Sequence, residues 1–169
     1  MDGRKTAKIV AIILSLTTFA FIPYKDWYNV GIYEGCRWVN HLTFHFFHAG
    51  FIHALMNVWC LLSVVFLYDI TLTRFFLMFI VAMSYPINLM AESGFNCQTP
   101  TVGLSGIIFA LFGSLSFEVK RKLYYQGWMA FYIIIGFLNA SSNPWIHVYC
   151  YTIGFAIAFI NKPYKIDNQ

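Results

Sequence analysis

Ser105 stands in the run Thr101-Val102-Gly103-Leu104-Ser105-Gly106, where a polar connector gives way to an apolar stretch from Ile107 to Val119. A serine hydroxyl becomes a useful nucleophile only when a neighbouring base accepts its proton. Glycines on either side let backbone approach closely, and the unpaired amides of a helix N-terminus can bind a developing oxyanion. The candidate base is His147. It follows Asn143, a helix-capping residue type, and Pro144, which suits the first helical position. His53 and Asn57 are four residues apart and share a helix face, where both can donate to an oxyanion. His48 precedes Gly50 and is expected in a connector, organising structure. The chemistry open to this set is acyl transfer.

The elements that would position these residues belong to a membrane. Of 169 residues, 59% are hydrophobic and 11% charged, with a mean hydropathy of +0.62. That is too little polar surface to cover a water-facing globule. One domain spanning 1–169 fits the length. The net charge of +4 resides in groups flanking apolar runs, not in a basic stripe interleaved with aromatics, so no nucleic-acid partner is expected. Cys36, Cys60, Cys97 and Cys150 have no CxxC spacing, and neither a metal nor a cofactor is expected. Cys36 and Cys97 fall in connectors on one side, where a disulfide could form. The N-terminal Arg4, Lys5 and Lys8 precede an apolar run without a small-residue cleavage site, which reads as a retained first span.

Six apolar segments follow one another, at about 9–24, 51–68, 75–91, 105–119, 128–140 and 145–160. With alternating spans, nine basic residues (Arg4, Lys5, Lys8, Arg74, Lys120, Arg121, Lys122, Lys162 and Lys165) share one side and only Lys25 and Arg37 the other. Lys and Arg favour the cytoplasmic side, so both termini are expected there. The long connector at 25–50 carries Trp27, Tyr28, Tyr33 and Trp38, rings that favour the outer interface. Ser105 to Lys120 and His147 to Lys162 are each 15 residues, or about 22 Å of helix. Both are less than the ~30 Å hydrocarbon thickness, which puts Ser105 and His147 below the outer surface at one depth. Small residues offer a close contact between their helices: Gly106, Ala110 and Gly113 or Ser114 on one, and Cys150, Gly154 and Ala158 on the other. Singly, each polar residue has an ordinary packing explanation. Four at one depth on three helices are costly in lipid and point to a site.

The run from His48 through His53 to Asn57, the Gly103-Leu104-Ser105-Gly106 motif, and His147 with Gly154 seven residues on resemble the rhomboid intramembrane serine proteases in order, spacing and host helix. The resemblance covers about 9–160. It implies an all-α membrane protein, a six-transmembrane-helix rhomboid-like bundle with a long outer connector between the first and second spans. It also implies that Ser105 attacks a peptide carbonyl with His147 as general base, in a dyad without an acidic third member. The oxyanion site would comprise the Ser105 amide, His53 and Asn57. The partners implied are transmembrane protein substrates in a lipid bilayer, cut near the outer face, and the expected location is a bacterial plasma membrane. Substrate entry would involve movement of about 128–143.

The chain departs from the family pattern at three places. Arg37-Trp38 reverses the usual Trp-Arg pair and is offset from it. Phe109 stands where a tyrosine is usual, which keeps a ring for the histidine but loses the hydroxyl. Cys150 replaces a glycine. Two other functions fit parts of the pattern: a catalytically silent rhomboid-fold protein that binds transmembrane segments, and a proton pathway using the histidines. Retention of Ser105, His147, His53 and Asn57 argues against the first. A conduction path needs ionisable groups through the full depth, and these stop in the outer half.

Overall fold

A computed structural model describes residues 2–138 and 143–161. The chain folds into α1 (Gly3–Ala20), α2 (Trp27–Val30), α3 (Asn40–Thr43), a 3-10 turn (Phe44–Phe46), α4 (Phe51–Leu67), α5 (Leu72–Met83), α6 (Ile87–Glu92), α7 (Ser105–Ser114), α8 (Lys122–Leu138) and α9 (Pro144–Ile160). No strand occurs among the described residues, and one antiparallel bridge joins Ile32 to Thr101. By length and composition, Leu72–Glu92, 21 residues taken through α5 and α6, suffices to cross a bilayer. The Asn40–Phe46 segment with α4, bent by 95° at the break, makes a second candidate, while α7 and α9 are shorter apolar helices.

Local signals explain three of the starts. The Asp2 side chain accepts from the Arg4 amide, Thr71 from the Arg74 amide and Asn143 from the Trp145 amide, each satisfying a first-turn donor. Pro144 occupies the first turn of α9 as its fixed φ favours. By contrast, α7 begins without a side-chain cap at Leu104.

The core is built around α7. Eight of its ten residues are buried, as expected of a helix that is apolar all round. It packs on α4 and α5 and, most extensively, on α9. The α7–α9 contact is made backbone to backbone. A Cβ built at Gly154 would collide with the Ala110 carbonyl, and one at Gly113 with the Tyr151 carbonyl. At Gly106 it would lie 3.6 Å from Cys150 Sγ. Gly113, not Ser114, therefore continues the small stripe toward α9.

The helix bounds differ from the sequence expectation in informative ways. The first helix starts at Gly3, not near Ile9, because Asp2 caps it; Arg4, Lys5 and Lys8 are thus on the helix. The third segment is broken between Met83 and Ile87, where Pro86 cannot donate a backbone hydrogen bond. The fourth stops at Ser114 rather than Val119. Here Arg74 Nε donates to Ser114 Oγ at 3.0 Å, another guanidinium nitrogen donates to the Ser114 carbonyl, and Nη1 pairs with Glu118 at 2.7 Å. A cation from α5 thus takes the carbonyl that a longer helix would use, at the end its dipole favours. The regular part of α7 is about 15 Å long, shorter than the 22 Å expected. The fifth expected segment corresponds to α8, which starts at Lys122, six residues before Trp128. Ala140, Ser141, Lys162 and Lys165, which entered the expected spans, connectors and charge count, lie outside the described residues.

Candidate active site

The connector 25–50 is folded against the segment that leads to Ser105. Ile32 and Thr101 exchange two backbone hydrogen bonds, of 3.0 and 2.9 Å. The Gly103 amide donates to the Phe44 carbonyl at 2.9 Å, and the Leu104 amide to His48 Nε2 at 3.3 Å. The backbone is therefore held at three points within four residues of the serine. Asn40 steadies the connector itself by donating to the Gly31 carbonyl at 2.7 Å. The sequence had no signal for the Phe44 carbonyl, since backbone acceptors leave no mark in residue type, and none for the tertiary partner of the Asn40 side chain.

His48 is buried and accepts through Nε2, so its proton is on Nδ1. Burial, with His53 beside it, holds His48 down to about 3, and it stays the neutral acceptor that Leu104 needs. The His48 and His53 rings meet edge to face, 5.0 Å between centroids. Fully buried His45 is pushed down to about 3 in the same way, first by burial and then by His41 and His48.

His53 and Asn57 converge on Gly103. A Cβ there would lie 3.1 Å from His53 Cε1 and 3.3 Å from Asn57 Nδ2, and φ is +132°. Glycine is required at this position both by space and by backbone conformation. Buried Asn57 Nδ2 has no hydrogen-bond partner among the described residues.

His147 lies in the first turn of α9, with its ring stacked on Phe109 at 4.3 Å and 15° between planes. The paired positions on α7 and α9 (109 with 147, 113 with 151, 106 with 150, 110 with 154) differ by 38 or 44 in residue number. The two helices are therefore parallel, and Ser105 falls level with 143–149, a window centred on the turn that holds His147. His53 lies within electrostatic reach of His147. Ser105 is partly exposed, its first-turn amides are free of any side-chain cap, and Phe109 and Gly106 beside it are buried. Ser105, His147, His53, Asn57, His48, Gly103, Gly106, Phe109 and Cys150 thus gather at one end of the α4–α7–α9 group, while Gly154 sits two turns further along α9 at the helix contact. Cys36, Cys60, Cys97 and Cys150 are all free thiols. No cluster of metal-ligating side chains occurs among the described residues.

The chain is 27% identical over 172 aligned positions to a Bacillus subtilis (strain 168) protein named "Putative rhomboid protease YdcA", covering 90% of this chain and 82% of that one. No solved structure matches it. Residues 35–164 match the family model of the rhomboid domain. That match extends over well more than half of the sequence, and the chain therefore belongs to the rhomboid family of integral membrane proteins.

Proposed function

We propose that this protein is an intramembrane serine endopeptidase in which Ser105 is the nucleophile and His147 the general base. The observation that carries the reading is the α7–α9 register, which brings the free N-terminus of α7 level with the first turn of α9. His147 would take the Ser105 hydroxyl proton as the oxygen attacks a peptide carbonyl, and return it to the leaving amine. The Ser105 amide with the His53 and Asn57 side chains would receive the oxyanion, an arrangement favoured by the way both converge on Gly103. Phe109 supports the imidazole from one face, and His48 holds the backbone before the serine. Deacylation follows by the same route with water in place of the serine hydroxyl.

The substrates are transmembrane proteins, since a nucleophile at the end of a lipid-enclosed helix group meets other spans first. A helical substrate must unwind locally before its carbonyl can be attacked, because its backbone groups are already paired. We take the six long helical segments as six spans with both termini cytoplasmic, in a bacterial plasma membrane, with Ser105 and His147 in the outer half. No cofactor is required for this chemistry.

Labelling of the purified protein with a fluorophosphonate probe, and cleavage of a single-span substrate, test the assignment. Wild type is expected to do both. Ser105→Ala should abolish labelling, and His147→Ala should lower cleavage by 10³-fold or more, in the range of losses from a nucleophile–base pair. A wild-type protein that binds the substrate span but neither labels nor cleaves would mark a silent span-binding protein instead.

A further inference from the structure

The face of α4 turned away from the candidate site carries a groove of about 420 Å³, lined by Trp59, Leu62, Ser63, Phe66 and Leu67. Trp59, Phe66 and Leu67 are exposed large apolar side chains, and Ser63 between them is small. A neighbouring helix does not fill this face; α1 packs beside it. At its end, the Lys8 ammonium of α1 stands over the Phe66 ring, 5.2 Å from the centroid. Lys5 lies on the same first turns of α1. Arg4 is spoken for by Asp69 at 3.3 Å, which leaves Lys8 and Lys5 as the basic groups without an ion-pair partner at this corner among the described residues.

Depth identifies the occupant. From Trp59 to Leu67 is eight residues, or about 12 Å along the helix axis. One leaflet of hydrocarbon is about 15 Å thick. The groove is therefore as long as an inner-leaflet acyl chain is deep, and it ends at a cation where that lipid would carry its phosphate. The exposed apolar face of α4 continues past Trp59 through Met56, Leu55 and Ile52, but the groove itself stops at Trp59 and closes on a cation, which a lipid headgroup needs and a protein span does not. We propose that α4 and Lys8 form a binding site for one anionic phospholipid of the inner leaflet, with an acyl chain between Trp59 and Phe66 and the phosphate on Lys8, assisted by Lys5. The site rests on the orientation proposed above, with the N-terminus in the cytoplasm. It would fix the depth of the α1–α4 pair, and with it His53 and Asn57 at the far end of α4.

Native mass spectrometry of the protein released from micelles supplied with phosphatidylglycerol or phosphatidylcholine tests the site. Wild type is expected to retain one phosphatidylglycerol in preference to phosphatidylcholine. Lys8→Glu should weaken that retention at least about fivefold, the factor expected for one basic side chain against an anionic headgroup. Ser63→Phe, which fills the groove, should weaken retention of both lipids. Unchanged far-ultraviolet circular dichroism and an unchanged unfolding midpoint of both variants control for folding. Equal retention of the two lipids by wild type, or a preference that survives Lys8→Glu, overturns the site. In parallel, Lys8→Cys in sealed vesicles of known orientation should add to the reaction of the parent protein's native thiols a reaction with a membrane-impermeant maleimide only from the cytoplasmic side. A reaction added from the outer side overturns the orientation and the inner-leaflet assignment with it. Cytoplasmic reaction with no lipid preference sinks the lipid site alone.

Discussion

Phe109 supplies a flat apolar surface for the His147 ring, and the near-parallel stacking restricts that ring to one plane. What the imidazole needs from this residue is a ring face, so loss of the usual phenolic hydroxyl costs little orientation. Phe109→Tyr should then keep kcat within a few-fold of wild type, whereas Phe109→Ala should lower it about 10- to 100-fold, the scale of a reactive group displaced by an ångström. Cleavage assays on the two variants give the comparison, and an Ala variant as active as Tyr would remove the ring from the mechanism. His45 poses a different problem at the same scale. Buried between the Phe44 and Phe79 rings, it has no hydrogen-bond partner for either nitrogen among the described residues. Burial favours the neutral form and pushes it down to about 3 from an ordinary 6.5. The unfolded chain therefore binds the extra proton first as pH falls. Stability is full above about pH 6.5 and declines toward pH 3, by up to about 1.4 kcal/mol per pH unit from this one group. Thermal unfolding in detergent at pH 8 and pH 4.5 should show a larger loss for wild type than for His45→Phe. Equal losses would assign the acid sensitivity to other groups.

The contact between α7 and α9 depends on glycine in a way that the sequence made visible. Gly154 meets the Ala110 carbonyl and Gly113 the Tyr151 carbonyl, closer than any side chain permits. Gly154→Ala should force the helices apart at a cost of roughly 1–3 kcal/mol, read as a lower unfolding midpoint together with reduced serine labelling, because the same shift moves His147 away from Ser105. A midpoint that falls with labelling intact would separate the packing from the site. The small residues at helical spacing, the Asn143-Pro144 start of α9 and the glycine turn before Ser105 are local signals, and the N-terminal end of this helix pair was legible from them. The C-terminal end was not. Arg74 ends α7 from 40 residues upstream, and its sequence position marked it only as one of the cytoplasmic charges. The same holds for the connector: its aromatic content suggested an interfacial loop, but its Asn40 and Phe44 contacts depend on tertiary neighbours that carry no periodicity.

Across the whole molecule burial is unevenly distributed, and this bears on how Ser105, at the start of α7, can be reached. α7 buries eight of ten residues, while α8 buries only Met129 of its 17. The N-terminal end of α8 is tied by polar bonds: the Tyr125 hydroxyl donates to the Phe112 carbonyl at 2.7 Å, and Tyr151 reaches Gln126. Towards its C-terminal end, Ile133 packs against the core and Phe137 lies edge-on to Trp145 at 5.0 Å, with Phe95 on the same indole at 4.3 Å. Local opening is easiest where few side chains are buried, so the C-terminal half of α8 should separate from α9 before any other helix leaves α7. Hydrogen exchange in micelles should find the amides of 130–138 exchanging at least about tenfold faster than those of 107–112, a difference of ~1.4 kcal/mol in opening. Phe137→Ala should widen that gap at the C-terminal end and leave the amides near Tyr125 unchanged, because the Tyr125 and Gln126 bonds do not involve it. If 130–138 proved as protected as α7, or if Phe137→Ala loosened both ends alike, α8 would move only as part of the whole bundle, and access to Ser105 would have to come through the connector that covers it.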